Sequence, residues 1–288
     1  MPNLLLFLQP DHDFTYKEKD NIMASLQFEN KWVLITGASS GLGYEMALQL
    51  ALIHKAHLIL VARRADKLEE LKQTITSQSS SQIKTITADL SNLNDIDRVI
   101  NESLEGNNLY GAILNAGITY FGKHLELDWK QFEMMLQTNV TGMVRMTNQL
   151  TQYFEKTQAA GGIMIVSSMA AVLPTPYQAA YSGTKGFMLN FITALSHEVT
   201  NKHLSYTVYL PGGMQTEMTN NDKFSPLKSW LMPVKQAAAE GIMAFKKRKP
   251  TYVPGATNKM GAFFSGIIPK RMIIKGMAKT YGNALKKQ

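Results

Sequence analysis

The chain has 288 residues, 45% of them hydrophobic, which is enough to bury a sizeable core and excludes a disordered polymer. It contains no cysteine, which excludes disulfides, a thiolate nucleophile and a cysteine-ligated metal, and fits a reducing compartment. The net charge of +8 is uneven: residues 246–288 hold eleven Lys or Arg and no acid, while the rest carries 19 basic and 22 acidic residues.

Residues 1–27 read as an N-terminal extension. Their apolar run, Leu4 to Leu8, has no preceding basic residue and does not read as an export signal. No apolar stretch reaches the length of about 18 residues that a membrane span needs. The expectation is a cytoplasmic chain. KWVLITG (31–37) is a β-branched apolar run and predicts a buried strand, followed by helical spacing over 43–55. HLILVA (57–62) predicts a strand, 65–75 a helix, 83–90 a strand, 93–104 a helix and 111–117 a strand. A helix over roughly 129–155, a strand at 161–168, a helix at 177–199 and a strand at 205–213 complete the alternation. This order predicts an α/β fold, a Rossmann-like doubly wound parallel sheet with helices on both faces, in a single domain over 28–245.

The first strand runs into TGASSGLG at 36–43. Gly37, Gly41 and Gly43 allow a sharp turn and a close backbone approach, and the helix that starts there offers free N–H groups to a phosphate. Ser39, Ser40 and Leu42 belong to the same turn. The spacing is neither G-x-G-x-x-G nor a P-loop. At the end of the second strand Ala62 replaces the acid that would hold a ribose 2′-hydroxyl, and Arg63 and Arg64 follow. Guanidinium groups suit a 2′-phosphate, so NADP(H) is favoured over NAD(H).

Tyr177, Tyr181 and Lys185 are spaced four apart, which puts them on one helical face. An ammonium one turn from a phenol favours the phenolate and lowers its pKa, giving Tyr181 the proton chemistry that carbonyl reduction needs. The six histidines form no ligand cluster, and no catalytic metal is expected.

Seven motifs in order, from about residue 31 to 216, resemble the short-chain dehydrogenase/reductase family. They are TGASSGLG at 36–43, ADL at 88–90, NAG at 115–117, TNVTG at 138–142, VSS at 166–168, YSGTK at 181–185 and PGGMQT at 211–216. The resemblance implies that Asn139, Ser168, Tyr181 and Lys185 form the catalytic group. It implies that Asp89 and Leu90 border the adenine, that Asn115, Ala116 and Gly117 support the cofactor, and that Pro211, Gly212 and Thr216 lie near the nicotinamide. Tyr181 and Lys185 would also touch the cofactor, and Asn139 would hold a water linking Lys185 to solvent. Ser40 stands where many NADP(H)-preferring relatives carry a basic residue, which leaves that preference to Arg63 and Arg64. Relatives are often dimers or tetramers, so a homo-oligomer is expected.

Residues 217–233 correspond to the family's variable lid. Phe224 and Trp230 within it, with Met169, Leu173, Tyr177 and Met214, are the candidates for an apolar pocket that takes a lipophilic or acyl carbonyl, or the matching alcohol. The same residues would also serve simply to dock the lid. Residues 246–288 read as a basic, helical C-terminal extension. In 269–287, Ile274, Met277, Tyr281 and Leu285 share one face, and Arg271, Lys275 and Lys279 another. Three readings fit it: a helix packed on the core, a contact with an anionic membrane surface, or attraction of an acidic acyl carrier or anionic substrate. No nucleic-acid partner is expected. The leading function is an NADP(H)-dependent oxidoreductase with Tyr181 as general acid and base. The alternatives are a non-catalytic NADP(H) sensor or scaffold and a membrane-peripheral member of the same fold.

Overall fold

Apolar runs without alternation become the strands of one parallel sheet, because both of its faces are covered. The computed structural model describes residues 23–217 and 231–286. Its strands are β1 (Trp32–Thr36), β2 (His57–Ala62), β3 (Ile83–Thr87), β4 (Leu109–Leu114), β5 (Gly161–Val166), β6 (Leu204–Tyr209) and β7 (Thr251–Tyr252). They lie in the order β3-β2-β1-β4-β5-β6-β7, with every neighbouring pair parallel. The order reverses between β1 and β4, where a doubly wound sheet opens a crevice at its carboxyl edge.

The helices are α1 (Gly41–Leu52), α2 (Ala65–Thr76), α3 (Leu93–Leu104), α4 (Trp129–Leu136), α5 (Gly142–Thr157), α6 (Ala179–Leu195), α7 (Val234–Lys246), α8 (Ala256–Ile267) and α9 (Lys270–Lys286). Successive strand residues point to opposite faces and build two cores. Val33, Ile35, Leu58 and Leu60 meet Met46 and Leu50 of α1 and Ile242 and Phe245 of α7. Leu34, Ile59 and Val61 share the other core with Ile96, Val99, Met146, Leu150 and Ile192. Burying each such side chain contributes about 1.5–3 kcal/mol.

Four features differ from the sequence reading. The helix expected over 129–155 is interrupted by a π turn at Gln137–Thr141. The helix expected from 177 starts at Ala179, and Tyr177 lies before it with φ +63°. Helix α7 was not foreseen; it closes on α1 because Gly241 leaves room for Met46, where an added Cβ would come within 2.5 Å of its Cε. Finally, β7 comes from the segment read as a basic, helical extension, so the sheet takes a strand from beyond residue 245.

Arg248 shows why that segment matters to stability. Its Nε donates to the Ala24 carbonyl at 2.8 Å. Its Nη1 donates to the carbonyls of Gly161 at 2.8 Å and His203 at 3.3 Å, and to Ser205 Oγ at 2.8 Å. One side chain thus ties the approach to β1 to the starts of β5 and β6. Replacing it strands several acceptors. Arg248→Ala is expected to lower unfolding free energy by about 2–3 kcal/mol, read as a fall in urea midpoint at unchanged slope.

Candidate active site

The crevice at the β1/β4 reversal is a cleft of about 520 Å³. Its floor is built by the turn after β1. Gly37 has φ +66°, and an added Cβ there would meet Asn115 Nδ2 at 2.8 Å. Gly41 has φ +57°, and its Cα faces Thr216. Asn115 locks the turn: its Nδ2 donates to the carbonyls of Thr36 at 3.1 Å and Gly37 at 3.3 Å, and its N–H donates to Thr36 Oγ1 at 2.9 Å. Ser40 is the N-cap of α1, but its side chain makes no capping bond. The first-turn N–H groups of α1 are therefore left for a ligand, and a phosphate fits them.

Arg64 closes the far end. Its guanidinium donates to Ser39 Oγ at 3.2 Å from Nη2 and 3.3 Å from Nε, and pairs with Glu217 at 3.1 Å. Ala62 and Arg63 line the same end. The donors there, with no acid at position 62, suit an anionic group on a ribose.

Ser168, Tyr181 and Lys185 meet at the opposite end. Ser168 caps a short turn at Met169–Ala171, its Oγ accepting from the Ala170 N–H at 3.1 Å. Ser168 Oγ also reaches the Pro211 carbonyl at 3.5 Å, and the serine hydroxyl lies on the side of the cleft that Tyr181 lines. Burial pushes the Tyr181 phenol up, and the neighbouring Ser168 hydroxyl pulls the other way. Lys185 Nζ donates to the Val166 carbonyl at 2.9 Å and lies 5.7 Å from the Tyr181 ring centre. Burial pushes its ammonium down to about 8. The sequence predicts a Tyr181 pKa lowered by Lys185; the direction here is upward, and its largest cause is desolvation of the phenol.

A profile described as short chain dehydrogenase matches residues 31–225. The chain belongs to the short-chain dehydrogenase family. The mouse 17-beta-hydroxysteroid dehydrogenase type 3 is 31% identical over 196 residues, covering 67% of this chain and 63% of that protein. The 11-beta-hydroxysteroid dehydrogenase 1A of Arabidopsis thaliana is 31% identical over 227 residues, 77% of this chain and 63% of that one. This short-chain dehydrogenase chain therefore spans about 63% of the length of these two relatives. A short-chain dehydrogenase from Sphingobium yanoikuyae in complex with NADPH superposes with a TM-score of 0.74 at 24% identity, over 82% of this chain and 93% of that one.

In this short-chain dehydrogenase the cleft wall includes every residue read from sequence as touching the cofactor except Gly43. Gly43 instead lets α1 pack down on the turn, since a Cβ there would meet the Gly37 carbonyl oxygen at 2.4 Å. Asn139 is fully buried behind the wall in the π turn. Its Oδ1 accepts from the Ile118 N–H at 2.9 Å, and its Nδ2 donates to the Ile118 carbonyl at 2.8 Å and Thr184 Oγ1 at 3.2 Å. Of the pocket candidates, Met214 lines the cleft, whereas Met169, Leu173 and Tyr177 do not. Tyr177 packs its hydroxyl against Gly282 of α9. Phe224 and Trp230 lie outside the described residues. The sequence reading did not single out Ile118, Thr138 or Glu217, which line the cleft. Among the described residues no three His, Asp or Glu side chains gather into a metal site.

The buried lysine has a stability consequence. Between pH 8 and 10 the unfolded lysine keeps the proton that folded Lys185, with its pKa near 8, has lost. Stability therefore rises with pH in that window. Relative to Lys185→Met, the wild type is expected to gain about 2 kcal/mol from pH 8 to pH 10, measured by urea unfolding of both proteins across the range.

Proposed function

We propose that this chain is an NADP(H)-dependent oxidoreductase that reduces a lipophilic carbonyl, or oxidises the matching alcohol. One observation carries the reading: a phenol and a serine hydroxyl, beside a buried ammonium, line one end of a cleft whose other end is a glycine turn and an arginine. Bound in that cleft, a nicotinamide cofactor supplies the hydride. Ser168 Oγ and the Tyr181 hydroxyl hold the substrate oxygen, and Tyr181 gives it a proton as negative charge develops. The Lys185 ammonium favours the phenolate left behind, and Asn139 fixes the loop at Ile118 against α6 through Thr184. The turn N–H groups would hold the pyrophosphate, and Arg64 with Ser39 would hold the 2′-phosphate in place of the Arg64–Glu217 ion pair.

Support for a lipophilic substrate comes from Ile118 and Met214 on the cleft wall and from the hydroxysteroid dehydrogenase names of the two curated relatives. A homo-oligomer is part of the same proposal; Trp129 on α4 and Phe187 on α6 are exposed apolar side chains.

Tyr181→Phe is expected to lower ketone reduction by about 10²–10⁴-fold while NADPH still binds, followed by the fluorescence of the bound nicotinamide. Retained turnover would remove Tyr181 from the mechanism. Arg64→Ala is expected to weaken NADPH binding by about tenfold or more and to leave NADH binding nearly unchanged. An equal loss for both cofactors would assign Arg64 a structural role instead.

A further inference from the structure

The basic tail carries its exposed apolar surface on a different helix from the one its sequence pattern singles out. On α9 the stripe of Ile274, Met277, Tyr281 and Leu285 is half-buried, and Ala284 beside it is buried. That face packs on the body: the Tyr281 ring meets Phe121 edge-on at 5.7 Å, and Gly282 lies against Tyr177. Helix α8 does the opposite. Met260, Phe263, Phe264 and Ile267 recur at i, i+3, i+4 and i+7, and all four are exposed. Ile268 and Met272 extend the patch across the turn at Pro269, with Phe264 46%, Ile267 56% and Met272 67% exposed. Only Ala262 and Ser265 of α8 are buried.

The charges around this patch select what covers it. Lys270 and Arg271 follow the stripe directly, and Lys275 and Lys279 continue the basic row along α9; all are exposed. Among the described residues none of these four pairs with a carboxylate. Lys259, at the other end of α8, is already held by Glu240 at 4.0 Å. Residues 246–288 contain no acid at all. A second copy seated on this face by a two-fold axis would bring like charges together. A surface with an apolar interior and negative headgroups satisfies both the stripe and its rim. No described helix is long and apolar enough to cross a membrane, so the contact is one of lying in the interface.

We infer that the α8–α9 segment seats this protein on anionic lipid, with Met260, Phe263, Phe264, Ile267, Ile268 and Met272 entering the acyl boundary and Lys270, Arg271, Lys275 and Lys279 meeting the headgroups. The start of α8 also touches the cleft wall. Asn258 at the start of α8 lies against Gly212 of the cleft wall, and a Cβ on Gly212 would meet its Oδ1 at 2.5 Å. The docking itself stands apart from the catalytic reading, since its test uses no turnover.

The test is sedimentation of the full chain with vesicles of phosphatidylcholine mixed with phosphatidylglycerol, and with phosphatidylcholine alone. The expected result is binding to the mixed vesicles that weakens in salt and is at least about tenfold weaker on the neutral ones. Phe263→Ser/Phe264→Ser/Ile267→Ser and Arg271→Glu/Lys275→Glu/Lys279→Glu are each expected to cut binding about tenfold or more, with unchanged circular dichroism. No sedimentation of the wild type, or full binding by the serine variant, would overturn the proposal. So would a wild-type dimer that ignores vesicles and becomes monomeric in the serine variant, which makes the face a contact between copies. Binding that emerges only after deletion of residues 1–22 would overturn it too, assigning the face to the chain's own Leu4–Leu8 segment.

Discussion

A lysine ammonium held inside the protein is the constraint around which the catalytic end of the cleft is arranged. Lys185 reaches the Val166 carbonyl at 2.9 Å, and burial moves its pKa from 10.5 to about 8. That shift corresponds to about 3 kcal/mol of disfavour for the charged form. The surroundings are built to keep the group in place regardless. Ser167 Oγ donates to the Lys185 backbone carbonyl at 2.9 Å, fastening α6 to the end of β5. Thr184 Oγ1 donates to the Tyr181 carbonyl and accepts from Asn139, which in turn fixes the loop at Ile118. The lysine, the tyrosine and the loop that bounds the cleft are therefore positioned by one connected network. In the proposed reaction the cost of burial is offset when negative charge forms on the phenol beside it.

The sheet was readable because its signal is local. Unbroken β-branched runs such as HLILVA make strands, and TGASSGLG between a strand and a helix makes a phosphate turn. The features that were not readable depend on contacts distant in sequence. The π turn at Gln137–Thr141 has no composition signature, and a helical pattern passes straight through it. Tyr177 keeps the i, i+4 spacing to Tyr181 yet lies outside the helix at φ +63°, its carbonyl accepting from the distant Gly122 N–H at 2.9 Å and its hydroxyl packed against Gly282, over a hundred residues away in sequence. Spacing predicts a shared face only while the backbone stays helical. Glu217 enters the cleft through its ion pair with Arg64, a partner 153 residues away.

The concentration of positive charge at the C-terminus also separates into distinct uses. Arg248 serves the fold, bridging carbonyls at the foot of the sheet. Lys259 serves a local contact with Glu240 and Tyr252. The remaining exposed residues of α9 flank an apolar face that no part of the described fold covers. A net charge read from sequence thus overstates the charge available to a partner, and the structure shows which cations are already committed.

The central claim is that the cleft delivers a hydride from NADPH to a carbonyl carbon. It is tested most directly with NADPH deuterated on one face of nicotinamide C4, incubated with lipophilic ketones, and mass analysis of the alcohols formed. The account predicts alcohol carrying deuterium on the carbinol carbon when one of the two deuterated faces is supplied, and none with the other. NADPH that binds and is never consumed with any ketone, or alcohol formed without label from either face, would contradict it.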